Sequence, residues 1–428
     1  MAVNILLTVA DDQRHAAMGC CDDATADAVR TPHLDALAAR GIRFTRAYHA
    51  GSAVPAVCMP SRALLHTGCN PNAIPPDMMP EGYVPEHLHK QPDAILGQSL
   101  QSAGYHTHHI GKWHNHERSF RDSFTTGKAI FFGGMDDHFH LPLADWDSKR
   151  LTPRTEHGCH GTDVFATEAE AFLESYADGA FGTRPFFLHI AFTAPHDPRQ
   201  THAQWHERYP VDAIELPPNF QPRHRFDNGA LRIRDEMLTS MPRDPRQTHH
   251  ELANYYAMVE HMDHGIGRIH GALRELGLEQ DTLVIHTSDH GLAVGQHGLM
   301  GKQNLYEHSI RVPLILAGPG VPTGQQRSTL CYQHDLHPTL IEAGRCETSS
   351  SGYFRSLWPS IVDPKANLRD LIETFYSKHQ RAAVMTNHKF IEYSVRGNTF
   401  VERHDLDADP WEMNPHTLSG DLSAALAS

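Results

Sequence analysis

Short apolar runs that end in polar residues recur along the chain. The first run, Val3–Val9, leads directly into Asp11 and Asp12. A short apolar run without strict alternation is typical of a strand buried on both faces of a parallel or mixed sheet. The same pattern returns three times, and it predicts strands at Tyr105–Ile110, Pro185–Phe192 and Thr282–His286. We therefore expect one large sheet whose strands each run into a polar segment.

Helical patterns alternate with these strands. Thr31 followed by Pro32 predicts a helix N-terminus, and Gly41 predicts the end of that helix. Pro60 fits the first turn of a helix that runs to Leu65, which places Cys58 at the helix N-terminus. Further helices are predicted at Asp93–Ala103, Thr162–Tyr176, Glu251–Leu276 and Asp335–Ala343, and further strands at Ile42–Tyr48 and Val312–Leu316.

The length of 428 residues favours a large α/β domain with a smaller appended unit. Residues 197–248 are rich in proline, arginine and histidine and weakly periodic, so we expect an irregular insertion over the site. From about Thr374 the pattern changes to short alternating stretches that predict a small antiparallel sheet, with strands at Lys389–Tyr393 and Thr399–Glu402. The predicted division is a catalytic α/β domain at 1–350 and a small C-terminal subdomain at 351–428.

Composition narrows the class of protein. The chain is 40% hydrophobic and 21% charged, without an apolar run long enough for a membrane span, so a membrane protein is not expected. A formal net charge of -14 argues against nucleic-acid binding, which needs a basic face. The first residues lack the basic start of a signal peptide, so we expect a cytoplasmic protein as numbered, or a periplasmic or secreted one if a signal was removed. The oligomeric state is left open.

Polar side chains follow four of the predicted strands. They are Asp11 with Asp12, Lys112 with His114, His196, and Asp289 with His290. Ligands of open α/β sheets bind beyond the carboxyl ends of the strands, so these groups are expected to converge on one site. Three carboxylates and a histidine favour a hard dication, calcium or magnesium more than zinc. The nearby arginine and lysines suit an oxyanion.

One segment makes the chemistry specific. Cys58-Met59-Pro60-Ser61-Arg62, followed by Thr67-Gly68, resembles the Cys-x-Pro-Ser-Arg signature of the type I sulfatases, a family with the alkaline phosphatase-like fold. The resemblance spans nearly the whole chain. Its other blocks, in order, are Asp11-Asp12, Gly111-Lys112-Trp113-His114, Pro195-His196, Ser288-Asp289-His290-Gly291, Gly301-Lys302, Arg311-Val312-Pro313-Leu314-Ile315, His334-Asp335-Leu336 and Asp405-Leu406-Asp407-Ala408-Asp409-Pro410.

The resemblance implies a large mixed, mostly parallel sheet flanked by helices, with a small C-terminal α+β subdomain that contains an antiparallel sheet. It implies that a maturation enzyme oxidises Cys58 to formylglycine (3-oxoalanine), whose hydrate supplies an oxygen nucleophile. It also implies Ca²⁺, or alternatively Mg²⁺, as the bound cation. The implied metal ligands are Asp11, Asp12, Asp289, His290 and the modified residue 58.

The family's catalytic roles carry over to five further residues. Arg62 would fix the hydrated residue 58, while Lys112 and Lys302 would bind the sulfate and stabilise the charge that develops on it. His196 would protonate the leaving alcohol. His114 would remove a proton from the sulfated diol so that the aldehyde returns.

Two positions depart from the family pattern. Cys69 stands where the longer signature usually has arginine, which bears on recognition by the maturation enzyme. His290 stands where many relatives have asparagine, and histidine is a competent metal ligand.

Each block alone is also typical of a solvated turn or a core residue, but their joint order favours an active site. Most of the 35 histidines are expected to be structural or exposed, with His66 kept as a weak candidate because it lies close to residue 58. The excess of arginine in the insertion indicates either a solvated face with acidic partners or contacts to anionic groups of a saccharide, with Arg199 and Arg223 as candidates. The histidines interpreted as structural or exposed are His15, His49, His66, His89, His106, His108 and His109.

Three functions remain open at this point. The leading hypothesis is a sulfatase that acts on an alkyl or sugar sulfate, with a carbohydrate sulfate preferred. The nearest alternative is a phosphonate monoester or phosphate diester hydrolase of the same superfamily, because the same groups serve either oxyanion. The third is a catalytically silent saccharide-binding protein with unmodified Cys58.

Overall fold

The structure is a computed structural model that describes residues 3–74, 78–79, 95–347 and 352–427. The helices of the described part are α1 (Pro32–Ala39), α2 (Cys58–Thr67), α3 (Leu96–Ser102), α4 (Glu117–Ser123), α5 (Gly161–Ala177), α6 (Ala203–His206), α7 (Pro245–Glu275), α8 (Glu307–Ile310), α9 (Leu336–Ala343), α10 (Trp358–Val362) and α11 (Leu422–Ala427). The strands are β1 (Asn4–Ala10), β2 (Ile42–Phe44), β3 (Ala47–Tyr48), β4 (His106–Lys112), β5 (Thr126–Phe131), β6 (Ala144–Trp146), β7 (Phe186–Ala191), β8 (Thr282–Ser288), β9 (Arg311–Val312), β10 (Leu314–Ala317), β11 (Gln325–Arg327), β12 (Cys331–Tyr332), β13 (Ile372–Tyr376), β14 (Gln380–Val384), β15 (His388–Val395), β16 (Asn398–Asp405) and β17 (His416–Ser419).

A nine-stranded sheet forms the centre of the molecule, in the order β11-β2-β10-β8-β1-β7-β4-β5-β6. The five strands from β8 to β5 are parallel to one another, and β10 and β6 run antiparallel to their neighbours. Leu7 at the middle of β1 lies opposite His189 on one side and Ile285 on the other. The predicted mixed, mostly parallel sheet is confirmed.

Helices cover both faces of this sheet. Leu6 packs into a core with residues of α5 and α7, whereas Leu7 packs into the core that contains α2 and α9. Successive side chains of a strand point to opposite faces, so a strand covered on both faces consists mostly of apolar residues. This explains the continuous apolar runs in the sequence.

The C-terminal part forms a five-stranded antiparallel sheet, β13 to β17, as predicted. Its inward residues Ile372 and Ile391 belong to the same apolar core as Leu7 of the central sheet. The proposed division between residues 350 and 351 falls within 348–351, outside the described residues, and remains a prediction.

Some element boundaries differ from the predictions. The expected strand Ile42–Tyr48 is two strands, because β2 joins the central sheet and β3 joins a small sheet with β9 and β12. The expected strand Val312–Leu316 is similarly divided at Pro313, which lacks the amide hydrogen that a continuous ladder needs.

The insertion is less irregular than expected. α7 begins at Pro245 rather than Glu251, with the Asp244 side chain accepting a hydrogen bond from Gln247 N as its N-cap. Within the described ranges no helix is long and apolar enough to cross a membrane.

Candidate active site

Four neighbouring parallel strands deliver the predicted polar groups to one edge of the central sheet. Asp11 and Asp289 come directly after β1 and β8, Lys112 ends β4, and His196 lies in the turn beyond β7. These strands are adjacent in the order β8-β1-β7-β4, so their carboxyl ends meet. The convergence predicted from the strand ends is confirmed.

Cys58 is the first residue of α2, and this helix end points at the same edge of the sheet. Its buried Sγ lies 3.1 Å from His290 Nε2 and 3.2 Å from Lys302 Nζ. Every residue of α2 is buried, so the surrounding core fixes the direction of the helix. The free amides of a helix N-terminus favour an anionic oxygen at this position.

Cations and carboxylates alternate around Cys58. Arg62 donates from Nε to Asp289 Oδ2 at 3.0 Å and from Nη1 to the Lys112 carbonyl oxygen at 3.0 Å. Lys302 Nζ donates to Asp12 Oδ1 at 2.8 Å, and Lys112 Nζ forms an ion pair with Asp11. All of these side chains are buried, so low local polarity strengthens the pairings.

The carboxylates fit a bound cation. Donor atoms of Asp11, Asp289, His290 and Cys58 lie within 4.8 Å of one another, and Asp12 joins an overlapping group. Asp11 Oδ1 is buried and has no hydrogen-bond partner within the described ranges. A buried anionic oxygen without a partner is costly, and a cation would remove that cost. Three carboxylates and one imidazole suit Ca²⁺ or Mg²⁺.

His196 and His114 have opposite pKa shifts. Burial lowers the pKa of His196, but the carboxylates of Asp12 and Asp11 outweigh it and raise this pKa to about 9. Burial, reinforced by Lys112, holds the pKa of His114 well below its usual range. At neutral pH His196 is therefore a proton donor and His114 is a proton acceptor.

The Cys58 thiol is a poor nucleophile in its unmodified form. Burial raises its pKa above the ordinary cysteine value, although Lys302 opposes this shift. The thiolate is the reactive form of cysteine, so a neutral thiol is not activated for attack. This agrees with Cys58 serving as a precursor.

Four residues that were not singled out as site residues support these groups. Ser61 Oγ and Gln333 Nε2 donate to the carbonyl oxygen of Asp289 at 2.6 and 3.0 Å. Asp197 Oδ1 lies 3.3 Å from His196 Nδ1, and Arg234 pairs with Asp197 in turn. Ser61 belongs to the quoted signature and could have been found there. Arg234 is one of the insertion arginines for which acidic partners were expected. Asp197 and Gln333 had no local signal in the sequence.

The arginines of the insertion pair largely with acidic side chains. Arg199 contacts Glu251, and Arg225 donates to Glu402 at 2.8 Å. Arg223 is exposed on the loop beside Gly298. The expectation of acidic partners is met for Arg199 and Arg225.

The histidines interpreted as structural or exposed are buried wherever the structure describes them. His66 packs against Trp113 with ring centroids 4.6 Å apart, and burial lowers its pKa to about 3. Cys69, which replaces the expected arginine, is also buried in the core. His89 lies outside the described residues. The buried members are His15, His49, His66, His106, His108 and His109.

Comparison with known proteins identifies relatives along the whole chain. The chain is 29% identical to an ulvan-active sulfatase of Formosa agariphila, over 99% of the chain and 80% of that protein. It is 26% identical to an arylsulfatase of Clostridium perfringens, over 96% of the chain and 90% of that protein. A solved structure in complex with its substrate D-glucosamine-2-N,6-O-disulfate superimposes with a TM-score of 0.77 at 22% identity, over 97% of the chain and 93% of that structure.

Two family descriptions match the sequence. The N-sulphoglucosamine sulphohydrolase C-terminal description matches residues 295–423. The sulfatase description matches residues 3–344, which include the candidate site residues from Asp11 to Lys302. The chain belongs to the sulfatase family.

Proposed function

We propose that this sulfatase hydrolyses a carbohydrate sulfate ester to the alcohol and inorganic sulfate, using a formylglycine made from Cys58 and a bound Ca²⁺. The observation that carries the proposal is the position of residue 58 at the start of α2. There it faces metal-binding carboxylates, Lys302, and a proton donor in His196. A nucleophile, an oxyanion site and a general acid are the three parts that ester hydrolysis requires.

The acidic residues and His290 are assigned to the cation, and the lysines to the sulfate. Asp11, Asp12, Asp289 and His290 would hold the cation together with residue 58. When bound, the cation would lower the pKa of the hydrated residue 58 and neutralise a sulfate oxygen. Lys112 and Lys302 would bind the remaining sulfate oxygens, for which they must leave their present carboxylate partners in part.

Proton transfer would use the two histidines in their different states. His196 donates from Nδ1 to the Asp197 carbonyl oxygen at 2.7 Å, which fixes its ring and leaves Nε2 as the proton donor toward the leaving oxygen. His114, neutral at physiological pH, would take a proton from the second hydroxyl of residue 58. Arg62 keeps the carboxylate of Asp289 in place during this cycle.

A saccharide substrate is supported by the relatives and by one cavity. The names of the relatives include an ulvan-active sulfatase and the iduronate 2-sulfatases. Arg199 lines a cavity of about 400 Å³ together with Thr201 and Tyr209. Its Nε and Nη2 are buried and have no hydrogen-bond partner in the described part of the chain. This edge of a guanidinium matches a carboxylate or sulfate, so we propose that Arg199 binds a second anionic group.

Arg223 remains a second candidate for substrate contact. Its exposure allows such a contact, although nothing orients its side chain toward a substrate.

Arg199→Ala is expected to raise KM for a saccharide with two anionic groups and to leave KM for a monoanionic aryl sulfate unchanged. Equal KM values for the disulfated saccharide in Arg199→Ala and the unaltered chain would remove Arg199 from the substrate site.

Maturation of Cys58 would have to precede folding. The cysteine is 4% exposed at the N-terminus of α2, so a maturation enzyme could not reach it in the folded chain. Cys69 lies just beyond the C-terminal end of α2, where its Sγ accepts a hydrogen bond from Thr67 Oγ1 at 3.1 Å. Its effect on recognition is tested by the extent of conversion.

The experiment combines intact mass with a substrate screen. Conversion of Cys58 to formylglycine lowers the mass by about 18 Da, since an aldehyde oxygen replaces a thiol and hydrogen. Converted protein is then assayed on sulfated mono- and oligosaccharides, on an aryl sulfate and on a matched phosphate diester, with Cys58→Ala as the control. We expect sulfate release, its loss after chelation, and its recovery with Ca²⁺.

Two results would contradict the proposal. Fully converted protein that releases no sulfate from any ester would exclude a sulfatase acting on the tested saccharides. A higher kcat/KM on the phosphate diester than on the aryl sulfate would favour the phosphate ester alternative.

A further inference from the structure

A second cluster of metal-binding side chains lies where α5, α6 and α7 meet. His160 is the N-cap of α5, Asp163 lies in the first turn of α5, His202 is the N-cap of α6 and His261 lies on α7. Donor atoms of His160, Asp163 and His261 lie within 4.8 Å of one another. None of these residues has a role in the sulfatase site.

Asp163 is the centre of the cluster. Its Oδ1 lies 3.2 Å from His261 Nε2, and its Oδ2 lies 2.8 Å from His202 Nε2. The side chains of Asp163 and His202 are 36% and 41% exposed, whereas that of His261 is 1% exposed. An ion could therefore enter from solvent at Asp163 and meet buried imidazoles behind it.

The second ring nitrogen of each buried histidine is already assigned to a partner. His160 Nε2 faces the Gln200 carbonyl oxygen at 3.0 Å and must donate to it, so Nδ1 keeps a lone pair. That lone pair accepts only a long bond of 3.2 Å from Thr162 N. The Thr201 hydroxyl lies 2.8 Å from His261 Nδ1 and can donate or accept. Without a cation, His261 Nε2 donates to Asp163 Oδ1 at 3.2 Å. With a cation, the ring proton would sit on Nδ1 and the Nε2 lone pair would be available as a ligand.

The cluster has the donor atoms that a metal site needs. Histidine binds metals in its neutral state, in which each ring offers one lone pair. Two neutral nitrogen donors and a carboxylate oxygen then face one small volume that a cation would fill.

We propose that His160, Asp163 and His261 bind a zinc ion in this second site. Two imidazoles and one carboxylate are a common zinc ligand set, and they favour a borderline metal over the calcium that suits the sulfatase site. Gln200 and Thr201 would orient the two rings, and His202 would hold the outer oxygen of Asp163.

The zinc site would stabilise the segment between His196, the proposed general acid, and His202. His202 lies shortly after His196 along the chain, and His138 connects the two regions by stacking on His160 and bonding the His196 carbonyl oxygen at 2.9 Å. A zinc ion would join α5 to α7 across this segment. Its binding should therefore raise the melting temperature, because only the folded chain presents the site.

The test compares zinc binding in three forms of the full chain. Metal-free protein is titrated with zinc against a competing chelator, and the bound metal is counted after gel filtration. Asp163→Asn keeps the shape of the side chain, and Glu174→Gln removes an exposed carboxylate from the same helix as a control. Zinc bound at the sulfatase site is common to all forms and cancels in the comparison.

We expect Asp163→Asn to bind one zinc ion fewer, or to bind that ion at least about 10-fold more weakly, than the unaltered chain and Glu174→Gln. Zinc should raise the melting temperature of the latter two more than that of Asp163→Asn. His261→Gln tests a second ligand in case Asp163→Asn does not fold. Equal zinc number and affinity in the unaltered chain and the folded variants would overturn the proposal.

Discussion

At the scale of single residues, His196 is held so that one nitrogen is committed to the protein and the other is free for chemistry. Nδ1 donates to the Asp197 carbonyl oxygen at 2.7 Å, while Nε2 lies 4.0 Å from Asp12 Oδ2. The nearby carboxylates keep the ring protonated, which is the state a general acid needs. We therefore expect His196 to determine how the rate depends on the leaving group and on pH.

His196→Ala should slow the hydrolysis of sugar sulfates much more than that of aryl sulfates. A sugar alcohol leaves as a strongly basic alkoxide unless it is protonated, whereas a nitrophenolate leaves without a proton. We expect kcat on the sugar sulfate to fall by roughly 10²–10⁴-fold and the loss on 4-nitrophenyl sulfate to be much smaller. Steady-state kinetics on both substrates measure this, with the exposed His157→Gln as the control. Equal losses on the two substrates would contradict the role.

The pH dependence of kcat/KM should also show that His196 acts as a general acid on sugar sulfates. His196 acts in its protonated form, and the carboxylates of Asp12 and Asp11 raise its pKa. Activity on a sugar sulfate should therefore fall as the pH rises through the pKa of His196. This fall should be absent for 4-nitrophenyl sulfate, whose leaving group needs no proton. A sugar sulfate profile without such a fall, or the same fall for both substrates, would show that another group is the acid.

At the scale of elements, α2 is joined to the end of β8 through Ser61. Its hydroxyl donates to the Asp289 carbonyl oxygen at 2.6 Å and also lies 3.1 Å from His334 Nε2. Ser61→Ala should lower the free energy of unfolding by about 1–3 kcal/mol, because a buried acceptor loses a partner. Thermal and urea unfolding measure this. Ser99→Ala is the matched control, since the buried Ser99 Oγ has no hydrogen-bond partner within the described ranges. A similar effect of both variants would contradict the role of Ser61.

The large elements and most of the candidate site could be predicted from local patterns. β1, β7 and β8 are buried over their whole length because both faces of the sheet are covered, and the polar residues after them are necessarily at the sheet edge. Pro60 marked the start of α2, which begins at Cys58. These predictions depend only on residues that are close in sequence.

Features that depend on distant partners could not be predicted. Arg234 reaches Asp197, which lies 37 positions away in the sequence, and no periodic signal between them would pair the two residues. The break between β2 and β3 follows from a choice between two sheets, which becomes visible only when β9 and β10 are in place. The start of α7 is different, because Asp244 and Pro245 are a local capping signal within a segment interpreted as irregular.

At the scale of the whole molecule, the C-terminal sheet supports the loop that carries Lys302. Gln380 Nε2 on β14 donates to the carbonyl oxygens of Gln303 and Asn228 at 3.1 and 3.0 Å. Lys389 on β15 is fully buried and pairs with Glu307 of α8. The sheet is therefore connected by buried polar contacts to the residues next to the site, in addition to the apolar core that both share.

Lys389→Met should destabilise the entire chain and not the C-terminal sheet alone. Lys389 Nζ lies 3.1 Å from Glu307 Oε1 and 2.5 Å from Glu412 Oε1; Glu412 is buried and Glu307 is partly buried. Removing the shared cation leaves two largely desolvated negative charges without this partner, which costs about 3–5 kcal/mol. Because the sheet and the central domain share one core, we expect calorimetry to show a single transition at a lower temperature, whereas the exposed Lys378→Met should leave it unchanged. Two separate transitions, with the catalytic part melting at its original temperature, would show that the C-terminal sheet is an independent unit.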